Sequence, residues 1–105
     1  MIYCITGQQT VARVDPDGSN GRTLFTGTQE LRFLNCDGHM LYFVHGDEIV
    51  ELNGNSAEYR VLLKMEHMTD MYHWEDGNLY ITVSLDSGES HYVYSIAGDQ
   101  LTQTD

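Results

Sequence analysis

The feature that most constrains this chain is a repeat. Ile2-Tyr3-Cys4-Ile5, Leu41-Tyr42-Phe43-Val44 and Leu79-Tyr80-Ile81-Thr82 superimpose, with their tyrosines 39 and 38 residues apart. Neighbouring segments keep that spacing: Asp37-Gly38 matches Asp76-Gly77, Val11 to Val14 matches Ile49 to Leu52, and Tyr92 to Ser95 falls in the same place after a longer loop. Such a chain solves one packing problem several times over. Side-chain alternation shows which problem. Successive residues of a strand point to opposite faces, so Leu41 and Phe43 share one face and Tyr42 and Val44 the other, and both faces are apolar. A sheet half open to water would show one polar face. Apolar residues on both faces suit a strand stacked between two other sheets, whereas the segments holding Arg13, Glu51 and Arg60 are more polar and belong further out.

Turn formers divide the chain at short intervals. Strands are expected over Met1 to Thr6, Thr10 to Asp15, Arg22 to Thr26, Leu31 to Cys36, His39 to His45, Glu48 to Leu52, Glu58 to Lys64, Asp70 to Glu75, Asn78 to Leu85 and Ser90 to Ile96, with a weak final one around Leu101. Asp37-Gly38, Gly46-Asp47 and Asp76-Gly77 read as hairpin turns, because the favoured two-residue turns need φ above zero. Asp86-Ser87-Gly88-Glu89 reads as a loop. Met65, Met68 and Tyr72 lie three and four residues apart, which a single turn of helix in a connector would satisfy. The fold class is therefore all-β: an antiparallel meander of about 11 short strands forming a single domain over residues 1–105. About forty residues and four strands per unit is the period of a β-propeller blade, with units at about 1–27, 28–66 and 67–105. A β-sandwich or barrel is the alternative.

One family resemblance is carried by the first unit. Ile2-Tyr3, then Val11-Ala12-Arg13-Val14-Asp15, then Asp17-Gly18-Ser19-Asn20-Gly21-Arg22-Thr23-Leu24 resembles the YWTD-type propeller repeat. In that repeat a Leu/Ile-Tyr strand precedes an Ile-x-Arg-like strand, an Asp-Gly turn and a strand ending in Leu. After Tyr42 and Tyr80 the family's Trp-Thr-Asp is replaced by Phe43-Val44-His45 and Ile81-Thr82-Val83. The resemblance implies a binding scaffold, usually non-catalytic. Propellers close with roughly four or more blades, and about 11 strands make fewer than three full ones. Either copies assemble into a homo-oligomer, which is the favoured expectation, or the chain is part of something longer, or the meander curls on itself.

Charge bounds the partners. Sixteen acids against five Lys and Arg give a net charge of -11, and all five bases lie before residue 65 while eight acids fall between Met65 and Asp105. Direct binding to nucleic acid or an anionic membrane is disfavoured by like-charge repulsion. No apolar run has the length of a membrane span and the N-terminus lacks a signal-peptide pattern, so a cytoplasmic location is expected. Cys4 and Cys36 sit in apolar strand contexts, where free buried thiols are expected over a disulfide.

Residues that suggest chemistry have simpler readings. Cys36 and His39 have Cys-x-x-His spacing without a second pair, and His45, His67, His73 and His91 are scattered, so no metal site and no cofactor is expected. Asp15 to Asn20 has the oxygen content of a calcium loop but the glycine is two places early, which favours a β-turn. Glu75 and Asp76 resemble an acid–base pair, yet Asp76 is needed by its hairpin. No nucleophile elbow or phosphate loop is present, so the chain is not expected to be an enzyme. Trp74 with Tyr72, and Tyr92 with Tyr94, fit either packing or a recognition patch. The expected function is a non-catalytic β-repeat module that presents an acidic surface, with Glu66, Asp70, Glu75, Asp76, Asp86 and Glu89 as contacts, to a basic protein partner. A narrower version is an inhibitor of the phage anti-defence type, which mimics nucleic-acid charge to block a nuclease or other nucleic-acid-binding protein. The third reading is a structural subunit of a larger propeller.

Overall fold

The computed structural model describes residues 2–104. They form 11 antiparallel strands: β1 (Ile2–Thr6), β2 (Thr10–Val14), β3 (Arg22–Thr26), β4 (Leu31–Asp37), β5 (Met40–His45), β6 (Glu48–Asn53), β7 (Tyr59–Lys64), β8 (Met68–His73), β9 (Asn78–Leu85), β10 (Gly88–Ser95) and β11 (Gln100–Gln103). Each strand pairs with its sequence neighbour inside one of three sheets, β1 to β3, β4 to β7 and β8 to β11. The fold is all-β and blade-like, as the repeat requires. The described residues contain no helix.

Stacking of the sheets follows the alternation. Leu41, Phe43, Val50 and Leu52 of sheet 2 pack against Val11, Leu24 and Phe25 of sheet 1, and all seven are buried. Tyr42, Val44 and Ile49 leave the opposite face of the same strands to meet Met71, Leu79, Ile81 and Tyr94 of sheet 3. Strands β5 and β6 of sheet 2 thus have no solvent face, because their two sets of side chains serve two separate cores, while β7 is exposed at Tyr59 and Val61. The Tyr42 ring stacks on His73 at 5.0 Å, and burial pushes its phenol up to about 12. Beside these cores the inner strands β4 and β8 lie together, and β1 lies next to β4.

The methionine spacing has a cause other than helix. Met65 to Met68 is a turn leading into β8, which starts at Met68 rather than Asp70 and ends at His73 rather than Glu75. Residues three apart on a regular strand face opposite ways. A bulge between Met68 and Asp70 adds one residue, so Met68 and Met71 reach the same core at 3% and 1% exposure. Strand β4 has the same device between Arg32 and Asn35, which turns Leu31 and Leu34 toward sheet 1 while Phe33, at φ 57°, packs into the other core.

Turn geometry refines the other boundaries. Asp37 pairs with Met40, so the first hairpin turns on Gly38-His39, one residue later than the Asp-Gly pair suggested. Gly46-Asp47 is the second; Gly46 has φ 60°, and a Cβ there would lie 2.6 Å from the Gln29 carboxamide oxygen. Leu85 pairs with Gly88, which shortens the expected four-residue loop to Asp86-Ser87. The turn before β9 is longer: Gly77 N–H donates to the Trp74 carbonyl and Trp74 N–H to that of Asn78, both at 3.0 Å. Cys4 is half-buried and Cys36 exposed, and both are free thiols.

Candidate protein-binding surface

The acidic residues divide between the two ends of the strands. Glu66 sits in the turn before β8, Asp86 in the β9–β10 turn and Glu89 at the start of β10; these meet at one end, where Ser84 N–H also donates to the His67 carbonyl at 3.0 Å. Glu75 and Asp76 lie in the β8–β9 hairpin at the opposite end, together with Asp37 at the end of β4 and Asp99 in the β10–β11 turn. Asp70 is on β8 between the two. The six expected contacts are therefore three at one end, two at the other and one on a strand, and they do not form a single patch.

Their surroundings differ as well. The Glu66 and Glu89 side chains are 78% and 64% exposed, each about one ion-pair distance (3.8 Å) from a histidine, His67 and His91 respectively. The bases at that end are committed elsewhere: Lys64 lies 3.7 Å from Glu48, and Arg32 donates to the Met68 carbonyl at 3.3 Å. Asp76 is a structural acid. It accepts from Asn78 N–H at 2.9 Å and from the Tyr80 hydroxyl, and these bonds, the hydroxyl first, hold its carboxyl below the usual carboxylate range. The Tyr80 phenol is raised in return. Asp70 accepts from Met71 N–H at 2.9 Å.

Other candidates resolve in favour of structure. Asp17 accepts from the Ser19 hydroxyl and N–H at 2.6 and 2.9 Å, and Asp15 from Asn20 at 2.6 Å, so the oxygen-rich loop is occupied by its own turn. Among the described residues no three His, Cys, Asp or Glu converge in a metal-holding group. A recess of about 400 Å³ between β7 and the β10–β11 turn holds Arg60, Tyr94 and Asp99. Inside it the Tyr94 hydroxyl donates to Asp99, and Arg60 turns to Glu51 at 2.7 Å.

The aromatic residues split. Tyr94 is 4% exposed and Tyr92 packs beside it, whereas Tyr72 and Trp74 are 42% and 53% exposed. Tyr72 stacks on Tyr80 at 5.2 Å and meets Trp74 edge-on at 6.2 Å. Tyr80 was legible only as a repeat residue. Its place in this cluster follows from pairing with Tyr72 across β8 and β9, on the face of sheet 3 turned away from sheet 2.

No family model matches the chain, and no curated protein does. Solved structures do. TolB from Acinetobacter baumannii superimposes with a TM-score of 0.77 at 14% identity, over 94% of this chain and 28% of that one. A chain of a nidogen/laminin complex gives 0.68 at 16%, over 90% and 39%, and the N-terminal domain of Nup159 gives 0.62 at 11%, over 99% and 29%. All of these are β-propeller proteins. The three sheets are propeller-blade-like. They are called blades 1, 2 and 3 below, and the chain spans well under half the length of the proteins it matches. Because Tyr3, Tyr42 and Tyr80 are equivalent, β1 corresponds to β5 and β9, and among the described residues blade 1 has no counterpart of the inner strands β4 and β8.

Proposed function

We propose that this chain is a non-catalytic protein-binding module whose acidic end, formed by Glu66, Asp86 and Glu89, receives a basic protein partner. The observation that carries the reading is the exposed acids at that end of blade 3, next to bases already engaged by Glu48 and the Met68 carbonyl. A rim of exposed carboxylates steers a cationic partner and sets orientation more than affinity. The YWTD-like pattern of the first unit supports a binding scaffold, and we place the chain with that repeat type. A cytoplasmic location belongs to the same reading.

Affinity capture from the native host tests it, with Glu66→Lys/Asp86→Lys/Glu89→Lys as one bait and Glu75→Lys/Asp99→Lys as the other. The first triple variant is expected to lose the proteins that the native chain retains, and the second variant to keep them. Equal capture by all three would sink the assignment. Displacement of the captured protein by DNA or RNA would narrow the partner to a nucleic-acid-binding protein, the inhibitor form of the same proposal.

A further inference from the structure

Blade 2 is packed between the other two, so its outer strand β7 has side chains of this chain on both flanks. One edge of β7 pairs with β6; among the described residues no strand pairs with the other. A row of unpaired N–H and C=O groups is a template for an added strand, and such edges are usually blunted by charge, Pro or a bulge. In β7 a bulge makes Leu62 the extra residue between Val61 and Leu63, which leaves Tyr59 to Val61 as regular edge. That edge is not blunted by polarity. Tyr59 and Val61 are 59% and 42% exposed.

The two flanks of the edge differ in chemistry. Val61 pairs with Val50 on the side of blade 1, and Tyr59 meets the Phe25 ring edge-on at 5.0 Å. These four residues wall a recess of about 320 Å³, which turns polar toward His45 and Glu48. On the side of blade 3, Arg60 pairs with Glu51 across the ladder and donates to its carboxylate at 2.7 Å. The recess of about 400 Å³ runs from Arg60 past Leu62 and Ile96 to Asp99. A further hollow of about 320 Å³ meets it at Arg60 and is lined by Glu51 and Glu58. Three carboxylates there surround one guanidinium, so this flank is acidic while the other is largely apolar.

We infer that β7 is a docking edge for an extended segment of a partner protein in which apolar residues alternate with Lys or Arg. Successive side chains of a strand point to opposite faces. A segment laid along Tyr59 to Val61 therefore sends one set into the recess beside Phe25 and the other over Glu51, Glu58 and Asp99. Main-chain bonds to the edge supply affinity, and the two unlike flanks select the sequence. Charge decides the occupant: an acidic segment, or a second copy of this chain at -11, would bring like charge to those carboxylates. The edge belongs to blade 2 and is separate from the Glu66, Asp86 and Glu89 end of blade 3.

The test titrates the 105-residue chain into a dye-labelled, capped Lys-Val-Lys-Val-Lys-Val-Lys peptide, read by fluorescence anisotropy and by amide hydrogen exchange of the protein. Saturable binding is expected, with exchange slowed at Tyr59 to Val61. Val61→Glu is expected to weaken it about tenfold or more, and methylating the peptide's backbone nitrogens, which removes its main-chain donors, to abolish it. Glu66→Lys/Asp86→Lys/Glu89→Lys is expected to keep it, which separates this edge from the acidic end. No saturable binding overturns the proposal, and so does equal binding of the methylated peptide. Equal binding of Lys-Lys-Lys-Lys-Val-Val-Val overturns it too, since charge alone would then suffice. Binding lost in the triple variant but kept in Val61→Glu would move the peptide to the acidic end, and a dimer of the chain broken by Val61→Glu would make a second copy the occupant; either result overturns it. If Val61→Glu fails to fold, Glu58→Lys, at an exposed position, takes its place with the same expected weakening.

Discussion

At the scale of single residues, the acids of this chain do two kinds of work that their identity does not reveal. Asp76 and Asp99 each accept a tyrosine hydroxyl, from Tyr80 and Tyr94, and pin the turn they belong to. Glu66 and Glu89 point into solvent. The difference is measurable through pH. The carboxyl of Asp76 is lowered in the folded protein relative to its ordinary value of 3.8. Its contribution to stability is thus fully present above that value and is lost as pH falls through the lower folded one. Asp76→Asn keeps the oxygen that receives Asn78 N–H but removes the charge that strengthens the bond from Tyr80. Native and variant melting temperatures, compared from about pH 6 down to about pH 2, are expected to converge at the acid end. A gap that stayed constant across that interval would assign the whole effect to geometry.

At the scale of strands, β4 is the element on which the arrangement turns. Its bulge sends Leu31 and Leu34 to one core and Phe33 to the other, and its Asn35 amide bonds to two backbone groups of β8. Asn35→Ala leaves the Met71 carbonyl and His73 N–H without that partner at a half-buried seam. The expected cost is about 1–3 kcal/mol in urea unfolding, the range for stranded backbone groups; a change below about 0.5 kcal/mol would place the seam's strength in its apolar contacts alone. Strand number, the apolar double face of β5 and the propeller-blade period were all legible from sequence, because they rest on a period of two and a repeat near 39 residues. Bulges were not. An added residue puts the i, i+3 pair Met68 and Met71 on one face of β8, a spacing that looks helical, whereas Met65 lies in the connector before the strand and Tyr72 on its opposite face. The candidate site was less legible still: which acids are exposed and which cap a turn depends on hydrogen bonds that spacing does not encode, and the end of the blade on which each acid falls depends on strand direction.

At the scale of the whole molecule, charge and apolar surface pull in opposite directions. The chain carries a net charge of -11, while Ile2 at 46% and Tyr72 at 42% exposure leave apolar side chains open on its two end sheets. Raising salt from about 10 mM to about 150 mM shortens the screening length from about 30 Å to about 8 Å. Binding of a basic partner at the Glu66, Asp86 and Glu89 end is expected to weaken over that interval, read as a falling affinity across a titration series. An affinity that did not change with salt would remove charge from that recognition. The pairing of every strand with its neighbour in sequence also bears on how the protein is made. Each sheet is a run of consecutive hairpins, so loop closures are short and no strand waits for a distant segment before it can pair. A nascent chain that has emerged through Lys64 already holds all the residues of its first buried core, and the third sheet then condenses on a finished surface.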